Sequence, residues 1–219
     1  MMILHYYPGN ASFAPHVLLN EIGAEFELAL VDRTNQAQKS AAYLKLNPNG
    51  LIPVLQDGDL VLYEAAAICL YLADTHPEAG LMPPPGNDSR AARAEATKWL
   101  VWLTNTLQAT LIHYFYPDRL VDAGNLEGAA QVKAHCEARV GECLTQLDEQ
   151  LADHGGPWLL GTTYCAADAY ALMLCRWTRG FASRPARDYP HIGPYLQRMM
   201  ARDAVAQAIA TEKLPNPLV

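Results

Sequence analysis

The feature that most constrains this chain is a change of hydrophobic period at residues 77–87, Pro-Glu-Ala-Gly-Leu-Met-Pro-Pro-Pro-Gly-Asn. Proline removes a backbone donor and glycine adds backbone entropy, so no helix runs through this stretch. Before it, short apolar runs alternate with segments of helical spacing. After it, every apolar pattern is helical. Such a chain folds as a small α/β unit followed by an all-helical one. We place the units at residues 1–76 and 88–219, with 77–87 as the linker.

In the first unit, Ile3 to Tyr6 reads as a short strand stopped by Pro8-Gly9. Phe13, Val17, Leu18 and Ile22 mark a helix that ends at Gly23. Glu27 to Val31 is a second strand, and residues 41–46 form a short helix before the turn Asn47-Pro48-Asn49-Gly50. Ile52-Pro53-Val54-Leu55-Gln56 and Leu60-Val61-Leu62 flank Asp57-Gly58-Asp59, a hairpin pattern. Glu64 to His76 closes the unit as a helix. The order βαβαββα implies a mixed four-stranded sheet with helices packed on it. In the second unit, Asn87-Asp88-Ser89 offers caps for a helix that runs to about Tyr116 and ends at Pro117. Val132, Cys136, Val140, Cys143, Leu147 and Leu151 form one apolar face of a helix over 125–153. Further helices are expected at about 165–181, 190–202 and 203–211.

Composition narrows the function classes. With 219 residues and 51% hydrophobic content, the chain supports a sizeable core and a folded surface of roughly 10,000 Å². Its formal charge of -7, without a Lys/Arg cluster, disfavours nucleic acid and anionic membrane as partners. No secretory leader is readable and no apolar run approaches the ~18 residues of a membrane span, which points to a cytoplasmic protein. The five cysteines are odd in number and form no CxxC pair. Cys136 and Cys143 are separated by about 10 Å of helix, too far for a disulfide. Free thiols in a reducing compartment are expected.

Three places can carry chemistry. Pro53 stands at the start of a strand whose neighbours should pair, and proline belongs at an edge, a first position or a special turn. Pro15 is tolerated only in the first turn of its helix. Asn10, Ala11 and Ser12 therefore stand at that helix's N-terminus, where unpaired N–H groups favour an anion. Glu64 and Ala65 open another helix in the same way.

Asn47-Pro48-Asn49-Gly50-Leu51-Ile52-Pro53-Val54-Leu55 resembles the Asn-Pro-x-Gly-x-Val/Ile-Pro-x-Leu signature of cytosolic glutathione transferases. Glu64-Ala65-Ala66-Ala67-Ile68 is similar to their Glu-Ser/Gly-x-Ala-Ile helix start. The opening Tyr6 to His16 is most similar to the bacterial beta class, and Gly161 to Tyr170 resembles the family's helical-domain motif. The resemblance spans essentially the whole chain. It implies a thioredoxin-like N-terminal domain, an all-α C-terminal domain, a homodimer, and glutathione as ligand without a metal. It further implies a cis Pro53 and pairing of glutathione's cysteinyl backbone with Ile52. The Ala65 N–H would hold the γ-glutamyl carboxylate, and Glu64 its ammonium.

The chain also departs from the beta class. Ala11 stands where that class has cysteine, Gln108 where it has histidine, and Val101 where an asparagine reaches across the dimer. Asn35 and Gln36 occupy the region of a lysine, with Lys39 nearby. Mixed-disulfide chemistry at position 11 is therefore excluded. The thiol must be activated otherwise, by Ser12 first, Asn10 second and Tyr6 third, with help from the helix end. For a second-substrate pocket the spacing nominates the face Gln108, Leu111, Ile112 and Phe115, with Tyr114 and Trp177 as an apolar wall. Cys165, where the family has Ser or Thr, should cap its helix weakly, which leaves Asp168 structural. The function implied is conjugation of the glutathione thiolate to small apolar electrophiles. A glutathione-dependent peroxidase or isomerase, and a non-catalytic glutathione-binding scaffold, are the alternatives.

Overall fold

A computed structural model describes residues 1–219, with a folded surface of 10741 Å², close to the value expected from mass. The first unit runs β1 (Met2–Tyr6), α1 (Phe13–Glu21), β2 (Phe26–Leu30), α2 (Ala41–Leu44), β3 (Val54–Asp57), β4 (Leu60–Tyr63) and α3 (Ala65–Thr75). Its sheet has the order β2-β1-β3-β4. β1 pairs parallel with β2 and antiparallel with β3, and β3 pairs antiparallel with β4. The sheet is thus mixed, as the element order implied. The Asp57-to-Leu60 turn contains Gly58 at φ 57°, the left-handed geometry that glycine adopts without a Cβ penalty.

The second unit is wholly helical. α4 (Arg90–Trp102) continues through a π-helical stretch, Leu103–Gln108, into α5 (Ala109–Phe115). Pro117 follows this rod, as the sequence led us to expect; the π stretch carried no sequence signal. α6 (Leu126–Asp153) starts where the Asn125 side chain accepts the Gly128 N–H. Its residues Cys136, Val140, Cys143, Leu147 and Leu151 are buried, the face that their spacing defined. α7 (Ala166–Trp177), α8 (Ile192–Met200) and α9 (Asp203–Glu212) complete the fold. All five cysteines are buried and free. No helix is long and apolar enough to cross a membrane.

One continuous core joins the two units: Leu4, Phe13, Leu18 and Ile68 belong to the same buried cluster as Leu103, Tyr170 and Leu174. Polar contacts reinforce the seam between α1 and α9. Arg202 grips Glu21 through two hydrogen bonds of 2.6 and 2.8 Å. Asn20 Nδ2 donates to Ala204 O at 3.1 Å. Deeper in, His16 Nδ1 donates to Glu212 Oε1 at 2.8 Å, both residues being almost wholly buried.

α7 is pinned by a second buried carboxylate. Asp168 Oδ2 accepts the Cys165 N–H at 2.8 Å, and its Oδ1 accepts the Leu159 N–H at 2.8 Å and the Tyr195 hydroxyl at 3.1 Å. Burial pushes the Asp168 carboxyl up to about 6. The carboxylate half of the capping box is therefore intact although cysteine has replaced the usual hydroxyl. Replacing Asp168 with alanine strands two buried N–H groups, whereas the Tyr195 hydroxyl keeps the Asp168 backbone carbonyl as acceptor at 3.1 Å. Each unsatisfied buried donor costs about 1–3 kcal/mol, so Asp168→Ala should lower unfolding stability by at least about 2 kcal/mol in urea denaturation.

Candidate active site

The turn before β3 is built by buried polar contacts. Asn47 is 2% exposed; its Nδ2 donates to Leu51 O at 2.8 Å and its Oδ1 accepts the Asn49 N–H at 3.0 Å. The Tyr43 hydroxyl donates to the same Leu51 carbonyl at 2.8 Å. Gly50 has φ 60°, and a Cβ there would lie 2.9 Å from the Gln38 carbonyl, so glycine is required on two counts. These contacts hold Leu51 from one side and deliver Ile52 and Pro53 ahead of the strand. The Ile52–Pro53 peptide is cis. Neither the N–H nor the C=O of Ile52 hydrogen-bonds to any group in the chain. A free peptide edge therefore sits beside a paired strand, ready for an extended peptide.

Across from that edge, Glu64 turns the chain from β4 into α3 with φ 73° and ψ 112°. A non-glycine residue in this region stores roughly 1–3 kcal/mol of strain and is concentrated at functional sites. The Glu64 side chain is exposed. Ala65 opens α3, so its N–H has no intrahelical acceptor. Ile52, Pro53, Glu64 and Ala65 line one cleft together with Ala11, Gln108 and Tyr170. The four residues nominated for the ligand's backbone and γ-glutamyl end are thus brought together. Gln108, nominated for a second-substrate pocket, lies in this first cleft instead, where its Oε1 accepts the Tyr170 hydroxyl.

The segment leading into α1 closes one end of the cleft. Tyr7 O accepts the Asn10 N–H at 3.1 Å and the Ser12 hydroxyl at 3.2 Å. Ser12 Oγ in turn accepts the Tyr7 N–H at 3.3 Å, and the residue is fully buried. The Ser12 hydroxyl is therefore spent on holding the loop. Its backbone N–H, by contrast, has no partner in the chain. Asn10 Oδ1 accepts the Ala11 N–H at 2.6 Å, which leaves the Asn10 Nδ2 amide free to donate. Tyr6 packs against the core, its ring edge-on to His16.

A second cleft adjoins the first across Gly9–Ala11. It is lined by Gly9, Asn10, Arg33, Ile112, Phe115, Tyr116, Trp177 and Arg179. Of the residues nominated for a second substrate, Ile112, Phe115 and Trp177 line this cleft, and the Trp177 Nε1 donates to Gly9 O at 3.0 Å. Leu111 and Tyr114 do not line it. Leu111 is fully buried and Tyr114 is 9% exposed, with its ring against Phe115 and Phe181. Both serve the helical core, because α5 is flanked by protein on those faces. Arg33 and Arg179 were not singled out from the sequence, since a lone arginine carries no local signal. Asn47 and Tyr43 were missed for a similar reason, their role being to accept or donate to backbone several residues away.

A cis-proline edge, a strained turn into a helix N-terminus and a helical unit roofing both define the ligand-binding architecture of a two-domain transferase. Residues 1–74 match the family model for the glutathione S-transferase N-terminal domain, and residues 103–203 match that for its C-terminal domain. The chain belongs to the glutathione S-transferase family. It is 33% identical to glutathione S-transferase GST-4.5 of Xanthomonas campestris pv. campestris, over 97% of this chain and 100% of that one. A glutathione transferase homologue from Sulfitobacter, solved with bound glutathione, superposes with a TM-score of 0.87 at 26% identity, covering 98% of this chain and 99% of that one. The bacterial beta class enzyme of Sphingomonas chungbukensis superposes with a TM-score of 0.80 at 28% identity, over 97% of this chain and 100% of that one.

Gly50 offers a direct check on this construction. A Gly50→Ala substitution forces an L-residue to positive φ and pushes against the Gln38 carbonyl. We expect a loss of about 1–3 kcal/mol in denaturant unfolding, with a matching loss of affinity for ligands of the Ile52 edge.

Proposed function

We propose that the protein binds glutathione in the first cleft and transfers its thiolate to an electrophile held in the second. The single observation that carries this reading is the unpaired Ile52 backbone facing a shared cleft with Glu64 and Ala65. Glutathione's cysteinyl backbone pairs with Ile52. Its γ-glutamyl carboxylate takes the Ala65 N–H, favoured by the positive end of the α3 dipole, and its ammonium takes the Glu64 carboxylate. The glycyl carboxylate reaches toward Lys39, whose Nζ lies 3.4 Å from Asn49 O. Glutathione bound in the Sulfitobacter homologue supports this assignment.

The sulfur then meets Asn10, Ala11 and Ser12. A free thiol with pKa near 8.5 is about 3% ionised at neutral pH. Lowering that pKa by two units needs roughly 2.7 kcal/mol of selective stabilisation. The α1 N-terminus supplies about 0.3–1 kcal/mol, and a hydrogen bond to a charged acceptor about 1.5–3 kcal/mol. The Asn10 Nδ2 amide and the Ser12 N–H are the two donors without partners, so we assign them the thiolate. The thiol proton leaves to solvent, the sulfur forms a bond to the electrophilic carbon, and the leaving group departs with its electron pair. Catalysis rests on positioning and thiolate stabilisation.

We further propose a homodimer in the cytoplasm. Val101 on α4 and Leu60 and Val61 on β4 are exposed apolar side chains that a second copy would cover.

Three measurements test the reading. Isothermal calorimetry with glutathione should register binding in the micromolar to low millimolar range, and absence of heat at millimolar ligand would overturn it. Ala65→Pro removes the N–H at a first helical position, where proline is tolerated, and should weaken glutathione at least tenfold while leaving the fold intact. Asn10→Ala should raise the pKa of the bound thiol by about one unit, read from the ultraviolet absorbance of the thiolate.

A further inference from the structure

The second cleft combines aromatic walls with an unusual charge. Ile112, Phe115 and Trp177 form apolar surface, Phe115 and Trp177 meeting edge to face with ring centroids 6.3 Å apart. Two guanidinium groups, Arg33 and Arg179, line the same space, and no acidic side chain does. Neither arginine belongs to any of the ion pairs in the chain. Arg33 donates to the Tyr116 hydroxyl at 2.7 Å and lies over the Tyr7 ring. Arg179 donates to the Arg176 carbonyl at 2.9 Å. Both keep donors unused.

A third guanidinium stands behind the wall. Arg176 is 1% exposed, and its Nε and Nη1 atoms have no hydrogen-bond partner. It lies over the Phe13 ring, with Nη1 beside Gly9, a residue that lines the cleft. Burial lowers it to about 10, so it stays charged at neutral pH. The carboxylate whose field it feels, Glu212, is already engaged by His16 and by the Gly9 N–H. Two guanidiniums outside any ion pair thus line the cleft, and a third lies buried behind Gly9, in a chain whose net charge is -7. Such a concentration of one sign in a partly desolvated recess focuses positive potential on the cleft.

We propose that the second cleft selects aromatic electrophiles that carry a carboxylate, the ring lying on Ile112, Phe115 and Trp177 and the carboxylate on Arg33 and Arg179. This replaces the uncharged apolar electrophile expected from sequence, and it rests on the glutathione reading above. Arginine suits the role because its planar fork matches a carboxylate and it stacks on aromatic faces. In the reaction the thiolate sulfur bonds to the ring carbon bearing the leaving group, and a halide departs with its electron pair. The carboxylate passes through unchanged. Glutathione's own carboxylates have separate partners in the first cleft, the Ala65 N–H and Lys39.

The test compares three ligands by calorimetry on the intact protein: glutathione, S-(dinitrophenyl)glutathione bearing a ring carboxylate, and the same conjugate bearing a ring carboxamide. We expect the carboxylate conjugate to bind about tenfold tighter than the carboxamide at low salt, with the gap narrowing as salt screens the partly exposed arginines. Arg33→Gln and Arg179→Gln should each shrink the gap at least threefold. Equal affinities of the two conjugates for the unsubstituted protein overturn the proposal without recourse to any variant. A fall in affinity for glutathione itself, matched in both conjugates, assigns the arginines to glutathione and also overturns it. Failure of glutathione to bind sinks the transferase reading first, whereas binding of glutathione with equal conjugate affinities sinks this inference alone.

Discussion

A single buried carboxylate ties the chemistry to the fold. Glu212, near the end of the last helix, accepts His16 from α1 through one oxygen and the Gly9 N–H at 2.7 Å through the other. The Gly9 carbonyl is taken by the Trp177 indole from α7. Both polar groups of one glycine are thus held by the helical unit, although the glycine belongs to the α/β unit. A carboxylate taken out of water is tolerated only when its lone pairs are matched, and here they are. The loop that presents Asn10, Ala11 and Ser12 therefore has one position relative to both domains.

The clefts follow from that anchoring. Gly9 and Asn10 line the second cleft and Ala11 the first, so in the proposed reading one loop would face glutathione's sulfur on one side and the electrophile on the other. The two clefts differ in chemistry. The first has an unpaired peptide edge, a helix N-terminus and an exposed carboxylate, which under the proposed function would suit a zwitterionic peptide. The second has aromatic surface and unpaired guanidiniums. Under the proposed function, a catalyst that brings a thiolate against an electrophile would gain most from such fixed geometry, since Ala11 offers no cysteine for covalent chemistry.

Much of this was legible in the residues. The strand and helix order, the cis proline and the grouping of Ile52, Pro53, Glu64 and Ala65 in one cleft are local or carried by one contiguous motif. Other readings needed the folded chain. A hydroxyl before a helix favours Ser12 as a thiolate donor, but Tyr7 engages it both as donor and as acceptor. The Asn10 oxygen is pinned to the Ala11 N–H, which leaves its amide free. Gln108, Leu111 and Tyr114 sit within two turns of one rod, and periodicity orders them around its axis. It does not say which azimuth meets the sheet, which meets α6 and which meets open space. The π-helical stretch just before Gln108 also breaks the regular rotation on which such counting depends.

By itself the sequence determined the two-part architecture through proline, glycine, alternation and helix spacing, which are short-range sterics, and the family and the cis Ile52–Pro53 turn through one contiguous motif. Tertiary structure alone decided which donors beside α1 remain without partners and which aromatic and charged side chains line the neighbouring cleft. Those properties depend on hydrogen bonds and charges between residues far apart along the chain, such as Gly9 with Glu212 and Arg33 with Tyr116. A group's availability is set by what its distant neighbours have already taken, and only folding brings those neighbours within reach.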